Sequence, residues 1–380
     1  MMLLEIFYMK TMERVGMIKT CKFAQYQDVF CGIGTFSITV PISEESLRLL
    51  KKGYLILFEE DKMGIIRYRK KSTSSESDVE IKGFLLNKML EWRSFLLTKS
   101  FKGTVTEIAR TMVDYFFINN EDARRNMPYI ALSSDTQFAP EAPNSSIQAT
   151  GKSVEYMLET VLNPLGYGFS LAPVVSKYGA DGKLTNISEL SFRVHKPTDR
   201  SIDNPDGNNP VVFSLSMNNL SSSVYIEDDT EFCSIAIVAG EGEGTGRTII
   251  EVGDTEASGF DRIELYVDAR DLQSVTEETV MTEEEYTEAL TNRGYSYLQD
   301  HASYSSFDGT VIDGASSYVY GESFFNGDYV SVIDEEFGLA AKVQISSVTK
   351  SLTESGEKLD ITFGKERVTV QKIIRKRGMI

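Results

Sequence analysis

Between residues 3 and 83, apolar and polar positions alternate in short runs instead of recurring at helical spacing. Phe36, Ile38 and Val40 alternate with Thr35, Ser37 and Thr39, the period-2 pattern of a strand with one buried face. Runs rich in β-branched or aromatic residues at Leu3–Met9, Cys21–Phe30, Gly34–Pro41, Leu55–Glu59, Ile65–Arg69 and Val79–Gly83, parted by turn-forming residues, predict strands. A short helix is predicted at Ser43–Lys52. Ser43 can cap it, Glu44 and Glu45 suit the positive end of its dipole, and Lys51, Lys52 and Gly53 close it. Lys70–Asp78 is a polar, serine-rich hairpin tip.

Helical spacing takes over further along. Thr104 and Glu107 form a capping box opening a helix to about Phe117, with Val105, Ile108, Ala109, Met112, Tyr115 and Phe116 on one stripe. Ser153–Leu165 repeats the pattern and ends at Gly166, and Phe84–Leu90 predicts a short helix with Trp92 and Arg93 at its end. A third capping box, Thr282 with Glu285, starts an acidic helix to about Asp300. Pro128–Gln148 reads as loop with some strand. Gly168–Val175 and Glu189–Lys196 read as strands around a Gly179–Gly182 turn. The polar run Pro197–Pro210 (PTDRSIDNPDGNNP) is the clearest long connection.

A chain of 380 residues is long enough for roughly two to four domains. Its charge is uneven. Residues 1–110 carry 18 Lys and Arg against 13 Asp and Glu, whereas residues 221–300 carry 4 against 20, a net of −16 within a whole-chain −17. Such a block is a solvated acidic face that repels nucleic acid, because phosphate binding needs Lys and Arg. Cys21, Cys31 and Cys233 form no even framework and have no metal spacing, so they read as core thiols, with a Cys21–Cys31 disulfide geometrically possible but unsupported. MMLLEIFYMK is too short and too charged for a signal peptide, and no apolar run is long enough to span a membrane.

Candidate chemistry is sparse. Gly240, Gly242, Gly244 and Gly246 lie between two β-type blocks, yet the dinucleotide fingerprint fails: Thr245 or Arg247 stands where its third glycine belongs, and Glu241 and Glu243 would face a pyrophosphate. This loop reads as a mobile connection between strands. Ser146–Ser153 ends in the Gly-Lys-Ser of a phosphate loop, but Ser146 replaces the first glycine and no buried strand precedes it. Gly151 then reads as a turn before a helix, with Lys152 exposed. His195 and His301 stand apart from each other and from any cysteine, so neither zinc nor a Ser/Cys–His nucleophile is expected. Acidic pairs such as Asp228/Asp229 and Asp334/Glu335/Glu336 do not reveal a carboxylate separation. Trp92 is expected to pack, and the basic stretch from Lys372 (KIIRKR) to be a solvated terminus.

The order of segments resembles a known family. FSITVP, LLKKGYLILF and GFLLNKMLEWR are followed by GTVTEIARTMV, VEYMLETVLNPLGYGF and RVHKPTDRS. Next come PVVFSLSMNNLSSSVY, AGEGEGTGR with GFDRIELYVDARDL, NGDYVSVIDEEFGLAAKVQISSVTKSL and LDITFGKE. Taken together these resemble the siphovirus ReqiPepy-type tail proteins and, more distantly, the baseplate hub of contractile tails. The resemblance implies a mainly β protein with α/β insertions (α+β) and two β-barrel-like domains. It suggests residues 1–100 plus about 211–240 as the first, 101–210 as an α/β insert, and 241–380 as the second with a helical insert at 282–300.

It further implies a homotrimeric structural hub at the virion tail tip, assembled in the host cytoplasm. The hub would close the tube and serve host attachment and DNA ejection. Its partners would be distal tail or baseplate proteins, the tail tube, the tape-measure protein and a receptor-binding protein. DNA would pass without specific binding, and no cofactor, metal or catalytic residue is expected. Some relatives continue into a fibre or peptidoglycan-cleaving region; with this sequence ending at Ile380, such activity is expected in another protein. The competing readings are a cell-wall hydrolase, a carbohydrate-binding adhesin, and the hub of a tail-like bacteriocin or contractile injection particle.

Overall fold

The structure, a computed structural model, describes residues 3–71, 78–134, 143–178, 184–275, 280–311, 318–335, 338–353 and 356–364. The Lys70–Asp78 tip except its ends, the Gly179–Gly182 turn, the middle of Pro128–Gln148, Glu336 and the basic stretch from Lys372 lie outside these residues.

The alternating runs form strands β1 (Leu4–Tyr8), β2 (Glu13–Ile18), β3 (Phe23–Val29) and β4 (Thr35–Pro41). Helix α1 (Glu44–Leu49) follows, then β5 (Tyr54–Glu59), β6 (Lys62–Lys71) and β7 (Asp78–Leu85). In β4 the alternation is literal: Phe36, Ile38 and Val40 are buried and the residues between them are not. Ser43 caps α1 in a reciprocal box with Ser46. β2, with Glu13 and Arg14 at its start and Gly16 within it, has too weak an apolar signal to be predicted.

The next segment contains β8 (Lys99–Thr104), α2 (Val105–Val113), β9 (Ile130–Leu132), β10 (Asn144–Ala149), α3 (Val154–Leu162), β11 (Gly168–Tyr178) and β12 (Leu184–His195). The predicted helix around Leu86 is a 3-10 helix, Leu86–Trp92. α2 runs directly into a π turn, Asp114–Ile118. The rest of the chain gives β13 (Val212–Ser214), β14 (Leu220–Asp228), β15 (Ile235–Ala239), β16 (Ile249–Gly253), β17 (Glu264–Asp268), α4 (Glu283–Asp300), β18 (Tyr304–Val311), β19 (Tyr329–Asp334), β20 (Leu339–Thr353) and β21 (Gly356–Gly364). The fold is mostly β with a few helices, as the alternation predicts.

One large sheet runs in the order β11-β12-β2-β1-β5-β6-β7-β4-β3-β20-β21-β18-β14, with β9, β13 and β19 attached to its side. This path is open, with β11 and β14 as its ends, so the sheets are not closed barrels. Its middle joins the two ends of the chain: β3 pairs antiparallel with β20, Ala24 opposite Leu352 and Val29 opposite Ser347. The continuous apolar run of β5 has a direct cause, since this strand is buried on both faces. Leu55 and Leu57 face a core with the α2 and α3 residues, while Ile56 and Phe58 face a second core with Phe36 and Ile38. A third core gathers Val211, Phe213 and Leu220 with Phe307, Val332 and Phe363. Val211, Phe213 and Leu220 thus pack with the C-terminal strands.

The fourth core belongs to a separate sheet, β16-β15-β17, covered on one face by α4. Tyr286 and Leu290 recur at i and i+4 on the buried stripe, and Gly294 continues it. A Cβ at Gly294 would stand 2.8 Å from side-chain atoms of both Val238 and Val252, so glycine sets how closely the helix approaches the sheet. Gly294→Val is expected to destabilise this unit by about 2–3 kcal/mol through overpacking. Gly294→Ala should bring none of the roughly 1 kcal/mol gain usual for a helical glycine. Thermal unfolding of the two variants against the parent checks both.

Candidate functional site

The glycine-rich loop joins β15 to β16 as a closed turn. Gly240 N donates to Thr248 O and Thr248 N to Glu241 O. Arg247 folds back over the turn: its guanidinium donates to the carbonyls of Ala239 and Gly240, the Tyr266 hydroxyl and Asp268, all at 2.8–2.9 Å. From the other side Glu241 N donates to the Tyr286 hydroxyl, which itself donates to Leu272 O. Gly242 demands glycine, with φ of +99° and a Cβ position 2.5 Å from Gly246 O, and a Cβ at Gly240 would stand 2.4 Å from the Tyr286 hydroxyl. The expectation of a mobile loop therefore gives way to a turn tied by Arg247 and Tyr286. The first two amides already serve protein acceptors, so the turn does not present a nest of free N–H groups to a phosphate.

The Gly-Lys-Ser turn is engaged in the same way. Gly151 N donates to Phe95 O, Phe95 N to Lys152 O, and Val154 N to Arg93 O. The Ser153 hydroxyl caps α3 by accepting from Tyr156 N. Lys152 is half-buried over the Tyr156 ring, 5.2 Å from its centroid, and is not the exposed side chain expected. Burial pushes its ammonium below the usual lysine range. The segment fastens α3 to the chain around Phe95.

The most concentrated titratable chemistry, unmarked in the sequence, gathers from β3, β6, β12 and the residues before β19. Lys62 Nζ lies 2.8 Å from Asp28 and 3.2 Å from Asp61. Burial opposes its charge, but Asp28 and Asp61 outweigh it and hold the ammonium above the usual lysine value. Tyr320, under burial and then the charge of Asp28, is pushed up as well. His195 sits beside this group with its Nε2 2.7 Å from Ser170 Oγ and its ring 6.4 Å from that of Phe30. Burial, then the neighbouring Lys62, lowers its pKa to about 4, with Arg193 acting in the same direction and Asp28 and Asp61 against it. The half-buried imidazole is neutral at pH 7 and packs against Ser170 and Phe30.

That shift has a consequence for stability. The unfolded chain takes up a proton at His195 below about pH 6.5 while the folded chain refuses it until about 4. Stability from this group is therefore lost as pH falls through that window, by about 2 kcal/mol between pH 7 and 5. In His195→Gln the loss over the same interval should shrink by that amount. Urea denaturation at the two pH values reads it directly.

The Pro197–Pro210 connection is an ordered strap along β19. Arg200 N donates to Tyr329 O, Tyr329 N to Thr198 O, and Ile202 N to the Ser331 hydroxyl. Asp328 is its anchor, accepting from Arg200 Nε at 2.9 Å, Phe325 N at 3.0 Å and Thr198 N at 3.2 Å. Asp199 accepts from Ser201 and from Lys342 Nζ. The segment RVHKPTDRS thus supplies two charged side chains that tie the strap, Arg200 to Asp328 and Asp199 to Lys342.

The remaining candidates are structural in their contacts. Trp92 packs against the α2–α3 core with the Arg67 guanidinium 5.5 Å above its ring. Cys21, Cys31 and Cys233 are half-buried and not in disulfides. His301 ends α4 with Nδ1 2.9 Å from Tyr297 O. Asp334 is buried, whereas Asp228 and Asp229 are exposed. A cavity of about 10 Å³ between Tyr26, Phe58 and Lys350 has room for no more than about one water, and the surface opens shallowly at Asp268, Arg270 and Asp271. Among the described residues no group of three His, Cys, Asp or Glu side chains could hold a metal ion, and no helix is long and apolar enough to cross a membrane.

Solved structures share this architecture. A 43 kDa tail protein of prophage MuSo2 from Shewanella oneidensis is 14% identical with a TM-score of 0.53, over 96% of this chain and 98% of its own. Prophage tail protein gp18 from Listeria monocytogenes is 13% identical with a TM-score of 0.52, over 100% and 99%. A tail protein from Neisseria meningitidis is 14% identical with a TM-score of 0.54, over 98% and 99%. The fold is that of phage tail proteins. The sequence itself matches the Siphovirus ReqiPepy6 Gp37-like protein family over residues 3–365, and the chain belongs to that family. No curated protein matches it significantly.

Proposed function

We propose that this chain is the structural hub subunit of a phage tail, working as a homotrimer at the distal end of the tube. The family match across residues 3–365 carries this reading. The side chains with chemical potential fit a structural role, since Lys62, Asp28, His195, Arg247 and Asp328 are all engaged in internal contacts. A trimer about a three-fold axis uses heterologous contacts, in which two different surfaces of each copy meet. The contrast between the net +5 of residues 1–110 and the net −16 of residues 221–300 suits such a contact.

In this role the subunit contacts tail-tube, tape-measure and neighbouring distal proteins, and takes part in host attachment and DNA ejection. Exposed acids on the β15–β17 unit, among them Glu243, Glu251, Asp254, Glu256 and Glu264, would keep DNA from adhering if they face the channel. Light scattering on the purified full chain is the first test. The reading expects a species of three times the chain mass of 42.5 kDa, weakened by salt if the charged surfaces meet. A strict monomer at all concentrations, together with absence from purified tails, overturns it.

A further inference from the structure

The two ends of the large sheet are unlike. At one end β11 carries Pro173, which lacks an N–H, and its pairing with β12 is irregular at Val174/Val175, Val175/Lys177 and Lys177/Tyr178. These are the devices by which proteins blunt an edge strand against further pairing. At the other end β14 (LSSSVYIED) is nine residues long and contains no proline, lysine or arginine. It pairs in unbroken register with β18 from Ser222 opposite Thr310 to Asp228 opposite Tyr304. Among the described residues no strand pairs with its outer side. Alternate residues of an antiparallel edge strand point their N–H and C=O groups outward, so β14 offers a regular row of them.

We propose that the outer edge of β14 is a strand-addition site for an extended segment of another polypeptide in which apolar residues alternate with basic ones. Three features of β14 select that occupant. Ser221, Ser222 and Ser223 are small and let a second backbone come close. Val224 is 55% exposed and gives an apolar cross-strand contact. Glu227 and Asp228 at its end, followed by Asp229 and Glu231 with no Lys or Arg between Leu220 and Glu231, favour positive side chains on the incoming strand. Backbone pairing supplies the affinity, and the acids supply the choice of partner. The site lies on one subunit and requires no trimer, so it stands apart from the hub reading.

The test uses the full chain and a labelled ten-residue peptide alternating Val and Lys. Controls are a peptide of equal composition interrupted by two prolines, and one alternating Val and Glu. The expected result is binding of the first peptide alone, with slowed amide exchange at alternate residues of Ser221–Asp228. Ser222→Lys with Val224→Lys, both at exposed positions, should keep the melting temperature and weaken binding by about tenfold or more, as lysines on an edge strand do. Equal binding of the proline-interrupted peptide, or protection anywhere other than β14, overturns the proposal, as does undiminished binding to the double-lysine variant.

Discussion

An Asp328→Ala variant is expected to lose about 3 kcal/mol of stability, because breaking a buried ion pair strands the partner that remains. Asp328 is only 5% exposed, and burial raises its carboxyl above the usual aspartate range against the pull of Arg200 and two amides. The buried charge is therefore not itself a gain. What it does is satisfy Arg200, Thr198 N and Phe325 N, three donors left without an acceptor when the carboxylate is removed. Asp328→Asn keeps one acceptor and should lose less. The damage should be local first, with exchange rising at Arg200 and Tyr329, whose amides hold the strap to β19, and at Val211, whose amide donates to Arg200 O. Hydrogen exchange resolved by residue distinguishes this from uniform loosening, and unchanged protection there would contradict the anchoring role.

The second large effect is expected at Lys62. In Lys62→Met, Asp28 and Asp61 face each other without the ammonium that lies 2.8 and 3.2 Å from them. The cost should be about 3 kcal/mol, and adding Asp28→Asn should recover about half of it by removing the stranded charge. His195 reports on the same change independently. The Lys62 charge helps to lower its pKa and Asp28 acts the other way, so in Lys62→Met the imidazole should titrate above 4. Proton NMR of the histidine ring reads this, and an unmoved titration would mean that the two groups are not coupled.

The helices were legible because their signals are local. Thr104 with Glu107 and Thr282 with Glu285 form the capping boxes that their three-residue spacing predicts. The alternation in β4 likewise survives intact. Pairing was not legible: nothing near Ala24 announces that it lies opposite Leu352, because register across an entire chain is fixed by cores that form only when distant segments meet. The Lys62–Asp28–His195 group was hidden for the same reason, with members on three separate strands. In Pro197–Pro210, polar composition suggested a loose connection, yet its Asp, Asn and Ser side chains bond to backbone and to one another, as those residue types readily do. The glycine loop misled in the same way, since Arg247 closes it through Tyr266 and Asp268 of β17 and Tyr286 of α4 holds its other side.

A hub subunit must sit at the distal end of the particle. Antibodies against this chain, bound to intact tails and viewed by electron microscopy, should label only the end away from the capsid, and mass analysis of those tails should count three copies. Label along the tube, or tails that lack the chain, would contradict the hub.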